Sequence, residues 1–318
     1  MKKILLLIFT ISLLTSCTDS MDINDIQSDS RLVMYCFPSC GDTTIIQLSR
    51  SIPVNNSTFG ASVAVNSANI SYKINGTQIP VHLHKASDNY QYTDTESSSL
   101  YYAIGKHAVG DKIEIQASAT DTRSVSSSTT IPSMPIIGKI DTLNLQQGWN
   151  RYFMIHMTFT DDANTEDFYA VRVIERDIDK NDYSAPYDTS LYISAINTDE
   201  EPLLNKLSEV DTDFGFTDNY YHNFYIFNDK QINGSTYTMH LKINNNNYSN
   251  NRSTSYKLQF FKLTHEYYKF IKTLNNTNGN DLAEYGFSPV TPIFNNVKSG
   301  FGVMGGYNMV ETQWYLCK

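Results

Sequence analysis

The plainest chemistry in this sequence lies in Leu14-Thr15-Ser16-Cys17, where a thiol follows small residues that suit the cleavage pocket of bacterial lipoprotein processing. Upstream, Lys2 and Lys3 give a positive start, and Ile4 to Leu14 give an apolar run too short to span a bilayer permanently. The spacing predicts that residues 1–16 are a signal peptide and that the Cys17 sulfur becomes the lipid attachment point. An ordinary signal with a chance cysteine is the competing reading. No later stretch reaches the roughly 18 consecutive apolar residues of a membrane helix. The covalent lipid, a palmitate-type anchor of several acyl chains, is then what holds the chain at a membrane.

Other reactive residue types form weaker constellations. There is no Gly-x-Ser-x-Gly turn and no Cys with His and acid partners in a recognisable order, so no catalytic residue is assigned and the chain reads as a non-enzyme. His82 and His84 alternate on one strand face, as two metal ligands could, but solvated strand histidines explain them as well. Asp177, Asp179 and Asn181 place oxygens at alternate positions, like the opening of a calcium loop. That loop needs Gly at its sixth place and Glu at its twelfth, where this chain has Asp182 and Asp188, so a polar turn is the simpler reading and no metal is assigned. Asp211, Asp213 and Asp218 form a similar but looser group. Cys36 and Cys40 could close a small disulfide loop in an oxidising compartment, or remain buried free thiols, and Cys317 is left over in either case. Gly302-x-x-Gly305-Gly306 lacks a following Lys-Ser or Lys-Thr, so it is no phosphate cradle and marks bulges or a close strand crossing. The 22 Tyr could stack on sugars or peptides, though Tyr is also simply a good strand residue.

The chain carries 24 basic and 33 acidic residues, and loss of Lys2 and Lys3 makes its net charge of −9 two units more negative. With no basic stripe, nucleic acid has no electrostatic source of affinity. Residues 17–30, with Asp19, Asp22, Asp25 and Asp29, read as a lipidated acidic tether. From Arg31 onward, short runs rich in Val, Ile, Thr and Tyr are broken by turn residues every eight to twelve positions, predicting an all-β fold. Asn75-Gly76 between two runs predicts a tight hairpin. Seven strands within about 100 residues suggest an immunoglobulin-like β-sandwich over 31–134. The prolines of Ile131-Pro132-Ser133-Met134-Pro135 mark a boundary, and a second β-sandwich occupies 135–318. One helix docks on that second unit near 265–274, with Thr264 as N-cap and Tyr267, Phe270, Ile271 and Leu274 as its apolar face.

The order of several segments resembles one family. These are Arg31-Leu32-Val33-Met34-Tyr35 after the lipidation Cys17, Ile45 to Arg50, Thr129-Thr130-Ile131-Pro132, Phe227 to Gly234, Glu266 to Ile271 and Gly300 to Tyr307. Together they are similar to the Bacteroidota lipoproteins catalogued as domain of unknown function forty-two forty-nine. The resemblance implies an outer-membrane lipoprotein, commonly encoded beside TonB-dependent receptors, with a possible partner in such a receptor and an unidentified nutrient ligand. The Cys36-x-x-x-Cys40 pair is outside the family pattern. Readings of other classes are a surface hydrolase that uses paired carboxylates from the connection 197–220, and a structural adhesin on the cell surface.

Overall fold

The computed structural model describes residues 29–52, 63–84, 98–180, 188–205, 220–245, 251–278 and 292–317. The signal segment, Cys17, most of the tether, Asn181, Asp182 and the acidic residues Asp211, Asp213 and Asp218 lie outside the described residues.

The elements run in the order β1 (Leu32–Cys36), β2 (Gly41–Arg50), β3 (Asn69–Ile74), β4 (Thr77–Ile79), β5 (Val81–Leu83), β6 (Ser99–His107), β7 (Lys112–Ser118) and β8 (Val125–Thr130). There follow β9 (Ile136–Gln147), β10 (Asn150–Thr160), β11 (Phe168–Asp179), β12 (Asp188–Ser194), β13 (Ile196–Asn197), β14 (Tyr225–Asn228), β15 (Thr236–Asn244) and β16 (Arg252–Leu263). The helix α1 (His265–Asn278) comes next, then β17 (Phe301–Met304), β18 (Tyr307–Glu311) and β19 (Tyr315–Leu316).

Four sheets result, two to each unit. The first unit has β17-β1-β2-β6-β5 and β4-β3-β7-β8. Its core takes alternate residues from both, including Leu32, Met34, Ile46 and Leu48 from one and Tyr72, Ile113 and Ile115 from the other. The second unit has β13-β15-β10-β9 and β12-β11-β16-β18, the latter joined by β14 and β19. Phe153, Met157, Met239 and Leu241 meet Tyr169, Val171, Leu258 and Phe260 in its core. The period-two burial of β2 and β7 is what the alternation of apolar and polar residues requires of strands with one face in the core. Asn75 and Gly76 both adopt positive φ, at 50° and 82°, and connect β3 to β4 as a tight hairpin.

A third apolar cluster joins the units. Helix α1 lies between the outer face of the second unit, through Phe168, Phe224, Phe261 and Leu263, and Tyr35 and Phe37 at the end of β1. Phe37 stacks on Tyr267 with ring centroids 4.4 Å apart. The Thr264 hydroxyl, expected to cap the helix, is buried without a partner. Instead the Thr264 N–H donates to the Gly306 carbonyl (2.9 Å), and its own carbonyl accepts the Tyr268 N–H (3.0 Å), so the seam fixes where the helix begins.

The seam is sealed by the tail. Phe301–Met304, which the sequence order puts with the second unit, runs parallel to β1 in the first, with Met34 beside Gly302. Gly302 has φ +112°, and a Cβ there would sit 2.0 Å from the Met34 carbonyl oxygen. A Cβ on Gly306 would come within 2.6 Å of the Thr130 carbonyl. Asn308, almost fully buried, donates to the Pro132 carbonyl and accepts the Cys40 N–H at 2.9 Å, which pins the connector between the units.

Gly302→Ala should cost about 3 kcal/mol or more in urea unfolding, since both φ and backbone contact oppose a side chain. Gly148→Ala, at φ +61° with open space around it, should cost only about 1 kcal/mol. Equal losses at the two positions would refute the account of the seam.

Candidate functional site

The residues singled out by type do not converge. Asp177 and Asp179 are part of the strand β11, where Asp177 accepts the Thr254 hydroxyl (2.5 Å) and Asp179 pairs with Arg252 (3.6 Å). Among the described residues, no group of three or more His, Cys, Asp and Glu side chains is arranged to hold a metal ion. His82 and His84 are both exposed on one face at the edge of the first unit. Cys36 and Cys40 are free thiols. Cys36 is enclosed in the first core, where burial pushes its thiol far above the ordinary value. Cys317, also free, is raised to about 11, chiefly by burial.

Of the acids in the 197–220 connection, Glu201 is buried and accepts the Tyr237 hydroxyl (2.7 Å) and the backbone N–H groups of His240 (2.7 Å) and Leu203 (3.1 Å). Glu200 pairs with the buried Lys242 at 2.8 Å. Both carboxylates hold the connection against β15.

A denser carboxylate group joins the β10–β11 loop to the turn after β14. Asp161 accepts the Tyr169 hydroxyl (2.7 Å) and the Gly234 N–H (2.8 Å). Asp167 accepts Lys262 Nζ at 2.6 Å, and Asp229 accepts the Asp167 N–H at 2.7 Å. Beside them a shallow polar depression of about 480 Å³ is lined by Asn164, Glu166, Asp229, Lys230 and Asn233 among others. Its buried acids already have backbone or side-chain donors, so the arrangement fastens two loops. The Phe227-to-Gly234 stretch therefore has a structural role in this chain.

The opposite charge pattern appears on the outer face of the β12-β11-β16-β18 sheet. Alternation puts Arg172, Ile174 and Arg176 of β11 on that face, with Leu191 and Ile193 opposite on β12, and Lys257 and Gln259 on β16. Trp314, from the tail, lies under both Arg176 (4.4 Å from the ring centroid) and Lys257 (4.8 Å). Arg172 lies over Phe224 at 4.7 Å, and burial lowers its pKa from the ordinary arginine value. Lys257 is paired with Glu311 at 3.0 Å. Neither arginine belongs to any ion pair among the described residues. The Nε of each is buried without a hydrogen-bond partner. Leu191 and Ile193 are 62% and 40% exposed. Sequence reading missed this face because Arg172, Leu191, Lys257 and Trp314 are distant along the chain and share it only through strand register.

Lys262→Met should destabilise the fold by about 3 kcal/mol by leaving Asp167 buried without its cation, as read from the urea midpoint. Burial, opposed by the Asp167 N–H and reinforced by Asp161, Asp167 and Glu166, raises the Asp229 pKa above 3.8. Ionising that carboxyl therefore costs stability as pH rises from about 3.8 through the folded value. Asp229→Asn keeps an acceptor for the Asp167 N–H and should gain stability relative to the parent between pH 4 and pH 7, measured by urea unfolding. A relative loss over that window would contradict the assignment.

No helix among the described residues is long and apolar enough to cross a membrane. No curated protein matches the chain. Among solved structures, one titled "BspA_C_mut" is similar at 8% identity over 74% of this chain and 95% of that one, with a TM-score of 0.19. A score at that level carries no argument about the fold. The family described as domain of unknown function (DUF4249) matches residues 18–313, and the chain belongs to it.

Proposed function

We propose that the mature protein is an outer-membrane lipoprotein anchored through Cys17, and that it serves as a non-enzymatic binding or accessory component of a TonB-dependent uptake system. In this reading its two units are immunoglobulin-like β-sandwiches that display a surface to a partner. The observation that carries the binding role is the pair of arginines, Arg172 and Arg176, without carboxylate partners among the described residues and beside exposed apolar side chains, on a chain of net charge −9. Family membership supports the envelope setting, and the signal sequence with its following cysteine supports the anchor. Of the described carboxylates of the alternative hydrolytic reading, Glu200 and Glu201 are engaged with Lys242, Tyr237 and the backbone of His240.

Mass spectrometry of the protein purified from membranes should show a first residue of Cys17 carrying acyl chains, and Cys17→Ser should move the protein to the soluble fraction. An unmodified thiol in membrane-derived protein would overturn the anchor. At native expression in mild detergent, a receptor should co-purify. Recovery of the lipoprotein alone would overturn the transport role.

A further inference from the structure

We infer that the outer face of the β12-β11-β16-β18 sheet receives an extended acidic segment of a partner protein, its carboxylates seated on Arg172 and Arg176 and an apolar side chain between them. This rests on the binding role above and names the chemistry of the partner.

Arg172 and Arg176 are four residues apart on one strand face, so their stems are separated by about 13 Å along β11. An extended polypeptide repeats at the same pitch, and carboxylates four positions apart would match both. Each guanidinium is already held in place by aromatic rings, Arg172 by Phe224 and Arg176 by Trp314. Little side-chain freedom is then lost on binding. With each Nε buried, an incoming carboxylate would pair with the terminal guanidinium nitrogens, of which Arg176 Nη2 also donates to the Ser255 hydroxyl at 3.3 Å. Between the two arginines, Ile174 on β11 lies opposite Ile193 on β12, with Leu191 opposite Arg176. They offer apolar surface to a residue midway between the two carboxylates. The surroundings favour an extended chain over a small anion, because the arginines lie along a sheet face and the polar depression lies elsewhere, against Asn164 and Asn233. Charge complementarity acts in the same direction: on a chain of net charge −9, two arginines outside any ion pair among the described residues favour an acidic partner at this face.

The chain has two Trp. In the mature protein carrying Trp149→Phe, Trp314 is the sole indole and reports on this face. Titration with poly-L-glutamate at low ionic strength should change its fluorescence, with an affinity that falls as salt is added. Arg172→Gln with Arg176→Gln should weaken binding on the order of tenfold or more while the unfolding midpoint stays close to the parent's. If that pair does not fold, Arg176→Gln with Lys257→Gln should weaken it in the same direction. The proposal is overturned by absence of binding, or by equal binding in a folded arginine variant. It is also overturned if phosphatidylglycerol vesicles move the signal and the polyanionic peptide does not, which would assign the face to lipid headgroups. Binding that appears only after deletion of residues 206–219 would assign the face to the chain's own acidic connection. These readouts use purified chain in solution, so they can fail independently of the anchor and of receptor co-purification.

Discussion

The parallel pairing of β17 with β1 is the constraint on which the rest of the architecture depends. Two hydrophobic cores, each filled from two sheets, are joined by the connector after Ile131, by the aromatic cluster around α1 and by this pairing. The tail brings backbone from the far end of the sequence into the first sheet, and helix α1 is clamped between the units by that return. A contact this tight needs residues without side chains. Gly302 and Gly306 lie against the carbonyls of Met34 and Thr130 at distances that leave no room for a Cβ. The relative placement of the two units thus follows from backbone packing, and the aromatic cluster around α1 fills the space that packing leaves.

Charge is used differently inside the fold and on its surface. Asp161, Asp167, Asp229 and Glu201 are nearly inaccessible, yet each meets donors from a neighbouring element. A buried carboxylate without donors would be intolerable, so these acids specify which loops may come together. Arg172 and Arg176 carry the reverse arrangement, in which rings lie against each cation and, among the described residues, no acid pairs with it. The geometry leaves the second unit with a cationic strip on a molecule otherwise dominated by acids.

Local residue pattern determined the strands, the Asn75-Gly76 hairpin and a helix whose apolar side is Tyr267, Phe270 and Ile271, because period, turn chemistry and propensity are properties of neighbouring residues. The same locality explains the family likeness read from short ordered segments. It could not reveal that Phe301–Met304 belongs beside β1, that the Thr264 hydroxyl would go without a partner, or that Asp177 and Asp179 would be strand residues tied to Thr254 and Arg252. Nor could it gather Arg172, Leu191, Lys257 and Trp314 onto one surface. Register across a sheet joins residues tens to hundreds of positions apart, and only the folded chain sets that register, through the competition of whole faces for the core.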